Sequence, residues 1–149
     1  MIRIDRTNSD NQDFQKLVSL LDADLAKRDG EEHAFYHQYN TIDALKHTVV
    51  IYENESPVGC GAMKLFEPGI MEIKRMYTVP EFRGMGLATM VLNELESWAS
   101  VLNHVKCVLE TGKRQPEVIR FYLKNGYKTI SNYGQYAGIN NSVCLEKRL

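Results

Sequence analysis

Apolar and charged positions alternate at the start of the chain, with Ile2 and Ile4 separated by Arg3 and followed by Asp5, which is the period of a half-buried strand. Asn8, Ser9 and Asp10 then offer helix-capping side chains ahead of Phe14, Leu17, Val18, Leu21 and Leu25, which recur at helical spacing. Gly30 ends that helix, and residues 31–40 form a polar-aromatic stretch of weaker helical character. Residues 48–52 and 58–66 are rich in β-branched and apolar side chains, and the turn-forming residues 53–57 between them predict an antiparallel hairpin. A second turn at Glu67, Pro68 and Gly69 leads into a strand over residues 70–79, closed by Pro80.

The second half has a different rhythm. Leu87, Val91, Leu92, Leu95 and Trp98 recur at helical spacing, with Glu94 and Glu96 assigned to the solvent side and Met90 and Trp98 to the core. Residues 105–111 read as a buried strand, and residues 115–125 as an amphipathic helix stopped by Gly126. Residues 127–130 and 143–146 read as final strands around a Tyr-, Gly- and Asn-rich connection. The element order predicts a mixed α/β (α+β) fold in one domain over residues 1–149, with a largely antiparallel front half.

Composition narrows the function classes. The chain has 149 residues, 44% of them hydrophobic, which is enough for one core. Its 18 basic and 19 acidic residues give a formal net charge of -1 without a long basic run, so neither nucleic acid nor an anionic membrane surface is an expected partner. The charged N-terminus and the lack of a long apolar run predict a cytoplasmic protein. Cys60, Cys107 and Cys144 are odd in number and lie in strand-like segments, so they read as reduced core thiols. His33 and His37 stand four apart without a suitably spaced third ligand, and no metal is expected. His47 and His104, at element ends, read as solvated or capping residues.

The strongest chemical signal is residues 83–88, Arg83-Gly84-Met85-Gly86-Leu87-Ala88, between a strand and a helix. The first N–H groups of that helix lack intrahelical partners and attract anions. Glycines at 84 and 86 let a phosphate approach those amides, Ala88 is small, and Arg83 adds positive charge. The segment is neither a Lys-Ser/Thr phosphate loop nor a three-glycine dinucleotide fingerprint, so neither ATP nor NAD is favoured.

Here the chain resembles the GNAT superfamily of acetyl-CoA-dependent N-acetyltransferases. The superfamily's Q/R-x-x-G-x-G/A motif is matched by Arg83, Gly86 and Ala88, after a segment similar to its fourth strand, Met71-Glu72-Ile73-Lys74-Arg75-Met76-Tyr77-Thr78-Val79-Pro80. Its second signature, a helix carrying a tyrosine before a Gly-aromatic pair, is similar to residues 118–127, with Tyr122, Gly126 and Tyr127. Gln115 stands where many members have Asn, and Thr78 where Val is usual. The resemblance implies a GNAT acyl-CoA N-acyltransferase fold, a mixed, mostly antiparallel sheet of about six to seven strands flanked by about four helices. It also implies acetyl-CoA as cosubstrate and no metal. The pyrophosphate would meet Arg83, Gly84, Met85, Gly86, Leu87, Ala88 and Thr89. The pantetheine arm would pair with Met76, Tyr77, Thr78 and Val79 where two parallel strands splay apart, and Gln115 is a further cofactor contact.

Direct transfer needs a neutral amine, and an alkyl amine of pKa about 10.4 is only roughly 0.1% neutral near pH 7. A base is therefore required, directly or through water. Glu72 is the first candidate and Glu110 the reserve. Tyr122 resembles the family's proton donor to the departing sulfur. A strand amide freed by a bulge near Met76 or Tyr77 would stabilise negative charge on the acetyl oxygen. Residues 31–40 lie where the family walls its acceptor site, and Tyr127, Tyr133 and Tyr136 either line that site or pack the late strands. The expected acceptor is a primary amine on a small molecule or amino acid. A non-catalytic acyl-CoA-binding or sensing module and a protein N-acetyltransferase stay open as alternatives, and a homodimer is the assembly expected from the family.

Overall fold

In the computed structural model, which describes residues 1–29 and 45–149, strand β1 (Ile2–Thr7) leads into helix α1 (Gln12–Asp29). After the undescribed segment come β2 (His47–Glu53), β3 (Ser56–Glu67) and β4 (Ile70–Thr78). A 3-10 turn and the glycine loop connect β4 to α2 (Leu87–Val101), followed by β5 (Lys106–Gly112), α3 (Pro116–Lys124), β6 (Lys128–Ile130) and β7 (Ser142–Arg148). The helix stop assigned to Gly30, the polar-aromatic stretch at residues 31–40, and His33 and His37 lie outside the described residues. None of the described helices is long and apolar enough to cross a membrane.

The strands make one seven-stranded sheet in the order β1-β2-β3-β4-β5-β7-β6. Every neighbouring pair is antiparallel except β4 and β5. The β2–β3 hairpin closes through Asn54 and Glu55, both at positive φ (+49° and +70°), the two-residue geometry whose twist suits antiparallel strands. One face of the sheet packs against α1 through Phe14, Leu17 and Val18, the other against α2 through Val91, Leu92 and Leu95. Each such side chain contributes about 1.5–3 kcal/mol when fully buried.

Several local readings need correction. Asn11, not residues 8–10, caps α1: its Oδ1 accepts the Phe14 N–H at 2.9 Å, because the cap must directly precede the helix whose third N–H it satisfies. The Asn8 side chain instead accepts the Asp10 N–H within its own turn. Glu96 is buried rather than solvent-facing, and Met90 is 38% exposed rather than core. His47 packs edge-on against Trp98 with ring centroids 4.8 Å apart, and burial lowers its imidazole pKa. All three cysteines are free and buried, and burial pushes the Cys60 and Cys107 thiols up to about 12 and Cys144 to about 11, which keeps them protonated at neutral pH.

Gly61 is the tightest position in β3. A Cβ there would stand 2.5 Å from Met76 Sδ and 2.9 Å from both Leu95 Cδ1 and Val91 Cγ1. Gly61→Ala should therefore destabilise the fold by about 1–3 kcal/mol, read as a lower urea midpoint at unchanged slope.

Candidate active site

β4 alternates regularly from Met71 to Lys74 and then breaks phase. Cys60 of β3 faces Tyr77 while Ala62 faces Lys74, so Gly61 alone is opposed by the two residues Arg75 and Met76. This is a β-bulge, with Arg75 in the left-handed region (φ +61°). Met76 turns toward α2, where the missing side chain of Gly61 makes room for it, and Arg75 turns toward α1. The Arg75 guanidinium, 2% exposed, donates to Asp22 Oδ1 of α1 at 3.1 Å. An ion pair and a packed thioether thus hold a backbone conformation that costs about 1–3 kcal/mol in isolation.

Beside the bulge the sheet comes apart. β4 and β5 pair only at Ile70, Met71 and Glu72, opposite Lys106, Cys107 and Val108. Beyond Glu72, β5 keeps its partner β7 while β4 keeps only β3. A cavity of about 700 Å³ occupies this separation, walled by β4, the glycine loop, the start of α2, α3 and part of α1.

At one end of the cavity, Gly84 and Gly86 adopt φ of +79° and +81°, and a Cβ built on either would meet nothing within 4 Å. Gly86 is the N-cap of α2, no side chain caps that helix, and its first turn holds no acidic residue. The uncapped amides and the open space in front of both glycines suit a phosphate group. Arg83 does not point its charge freely into this space. Its Nε donates to the Thr78 carbonyl at 2.8 Å and its guanidinium lies 5.5 Å from the Tyr77 ring centre, fastening the loop to the end of β4.

Tyr122 lines the other side from α3, 5% exposed, its ring held edge-on between Phe121 (5.1 Å) and Tyr127 (5.5 Å). Burial pushes its phenol pKa up, favouring the protonated form. Of the remaining expected residues, Met76, Tyr77, Thr78, Arg83, Gly84, Gly86, Leu87, Ala88, Thr89 and Gln115 line the cavity, whereas Val79, Met85 and Glu72 do not. Both backbone groups of Val79 are used within the protein: its N–H donates to Val58 O and its carbonyl accepts the Phe82 N–H, each at 2.9 Å. The Met85 side chain is exposed.

Glu72 stands where β4 and β5 part, buried on the face opposite α2. Its Oε2 accepts the Tyr133 hydroxyl at 2.6 Å and its Oε1 lies 3.5 Å from Lys74 Nζ, which does line the cavity. Glu110 is half-buried on β5, close enough to Tyr136 to help raise its phenol pKa, behind the larger effect of burial. Tyr127 packs in the main core, and Tyr136 in a small cluster with Cys144. Val118 and Phe121 also line the cavity; their helical spacing with Tyr122 and Asn125 was the available signal. Leu21 and Asp24 of α1 join the lining across a long sequence separation.

The profile of the acetyltransferase (GNAT) family matches residues 14–127. An IAA acetyltransferase of Azospirillum brasilense is 34% identical over 93 residues, 62% of this chain and 61% of that protein, so the chain spans about three fifths of that relative's length. A Klebsiella pneumoniae structure assigned as an acyl-CoA N-acyltransferase is 30% identical over 100% of this chain and 98% of its own, with a TM-score of 0.83. PaiA N-acetyltransferase of Thermoplasma acidophilum, solved with coenzyme A, shares the fold at a TM-score of 0.74 and 16% identity, covering 100% of this chain and 99% of its own.

Tyr133→Phe would leave one oxygen of the buried Glu72 carboxylate without its donor. The expected cost is about 1.5–3 kcal/mol, measured by urea denaturation at pH 7.

Proposed function

The chain belongs to the acetyltransferase (GNAT) family, and from that premise we propose that it moves the acetyl group of acetyl-CoA directly to a primary amine of a small molecule or amino acid. One observation carries this reading: the separation of β4 from β5 opens a single cavity that runs between the uncapped start of α2 and the Tyr122 side chain. The site fits the cofactor, because the positive-φ glycines leave their amides open to a phosphate and the unpartnered edge of β4 is available to amide groups of an extended chain.

When bound, acetyl-CoA supplies an acyl group activated as a thioester. In this reading the amides of residues 84–89 hold the pyrophosphate, and Met76, Tyr77 and Thr78 pair with the pantetheine arm, the pairing stopping before Val79. A β4 amide freed by the bulge at Arg75 and Met76 would stabilise negative charge on the acetyl oxygen. Tyr122 gives its proton to the departing sulfur. Glu72 takes the acceptor's proton through water, since its oxygens are held by Tyr133 and Lys74, and Glu110 is the second carboxylate within the same face.

A thiol of pKa about 8.5 is already a tolerable leaving group, so losing the donor costs at the lower end of general acid catalysis. Tyr122→Phe should lower kcat by about 100-fold with the dissociation constant for CoA unchanged. Calorimetric titration with acetyl-CoA and CoA should show tight binding to the wild type and none to Gly86→Glu, whose carboxylate occupies the phosphate position. Thiol release on a panel of amines then identifies the acceptor. Absence of wild-type binding would overturn the assignment, and binding without turnover on any amine would leave an acyl-CoA-binding module.

A further inference from the structure

One carboxylate is buried on a core-facing position of α2 and takes no part in the cavity. Glu96, 9% exposed, sits one residue after the fully buried Leu95. Its two oxygens have separate partners: Tyr127 donates its hydroxyl to Oε2 and Lys147 its ammonium to Oε1, each at 2.9 Å. Removing a carboxylate from water costs several kcal/mol, and an apolar side chain of similar volume would serve stability at least as well. What the charged group adds is a fixed geometry for the two side chains that it grips.

That geometry leads to the cavity. Lys147 reaches Glu96 across Gly126, where a Cβ would stand 3.3 Å from Lys147 Cε, and Gly126 (φ +95°) is the residue that ends α3. Tyr127 follows it, returns its N–H to the Tyr122 carbonyl at 3.0 Å and sets its ring against the Tyr122 ring. A continuous series of contacts therefore runs from β7 and α2 to Tyr122: Lys147 to Glu96, Glu96 to the Tyr127 hydroxyl, the Tyr127 ring to the Tyr122 ring. The same helix that presents the Gly86 cap at its start thus also grips, from its later turns, the aromatic neighbour of the proposed proton donor.

We propose that Glu96, with Lys147, is a positioning residue that holds Tyr127 in place and thereby fixes the Tyr122 hydroxyl where the CoA sulfur departs. The proposal rests on the reading of Tyr122 as proton donor. It also makes α2 the common frame for the two ends of the cofactor, the pyrophosphate at its N-cap and the sulfur beside Tyr122.

A double-mutant cycle on the full chain tests it, with acetyl-CoA and the acceptor found by thiol release. Tyr127→Phe removes only the hydroxyl, so the ring and the fold remain. It should lower kcat about tenfold while KM for acetyl-CoA stays within about twofold, and in the Tyr122→Phe background the same change should have less than about a twofold effect. Glu96→Gln, which keeps an oxygen for the Tyr127 hydroxyl, should retain more activity than Glu96→Leu. An equal tenfold loss in both backgrounds would mark a purely structural role and overturn the proposal, as would no loss at all or the reverse order of the Glu96 variants. If Tyr122→Phe alone leaves kcat unchanged, the donor reading itself has failed; a loss on Tyr122→Phe without coupling removes only the positioning role. A readout independent of turnover uses free CoA as the probe and ring-labelled tyrosine observed by NMR. CoA should shift the Tyr122 signal in the wild type and do so much less in Tyr127→Phe at equal saturation, whereas an identical shift in both would also overturn the proposal.

Discussion

Parallel pairing between β4 and β5 lasts for three residue pairs and then stops, and the candidate site is organised around that stop. A β-strand edge carries N–H and C=O groups that need partners, so an interrupted ladder leaves a row of donors and acceptors facing an opening. The two parts of the sheet, β1 to β4 and β5-β7-β6, would have little to hold them in register if pairing were all. They are joined by α2, whose Leu92 and Leu95 share one core with Met71 of β4 and with Cys107 and Leu109 of β5. The opening is therefore set in a rigid frame: the helix that spans it also presents its free N-terminus at one rim.

Much of the architecture could be read from periodicity. The α2 and α3 helices carry a clear helical repeat, the hairpin and β5 were legible from apolar, β-branched runs bounded by turn residues, and the glycine pair marked a strand-to-helix turn, which the structure shows at positive φ. The parting of β4 from β5 came from likeness to a family, since the pattern along β4 does not state how far β5 accompanies it. Charge misled at Glu96, because a Glu on an otherwise amphipathic helix reads as solvated unless Lys147 and Tyr127 are known to stand opposite it. Glu72 has the same history. It was legible as a carboxylate on β4, but its tie to Tyr133 spans 61 positions and depends on the path of the late connection. The α1 wall of the cavity was hidden for the same reason: Leu21 and Asp24 meet β4 only through the tertiary fold.

The site also distributes polar groups unevenly between the faces of the sheet. On the α2 side an apolar cluster dominates, with Glu96 and its partners Tyr127 and Lys147 set into it and Thr111 buried on the same face. On the α1 side, Glu72, Lys74 and Arg75 stand together along β4, with Asp22 and Tyr133 supplying ion-pair and hydrogen-bond partners. The charged groups of β4 are thus gathered on the face away from α2, while Tyr122, the proposed proton donor, packs into the core on the α2 side. The opening between β4 and β5 is where these two environments meet.

The bulge in β4 places Lys74 and Arg75 on one face and returns Met76 and Tyr77 to the faces that regular alternation would assign them if Arg75 were absent. In genetic terms Arg75 amounts to one codon more than regular alternation needs, within a strand whose flanks are otherwise in phase. Its deletion would send no other side chain to the opposite face, so a chain one residue shorter retains the whole hydrophobic pattern that directs folding. What it loses is the irregularity beside the opening. A lineage can therefore acquire or discard this feature in one step, with the core's sequence code left intact.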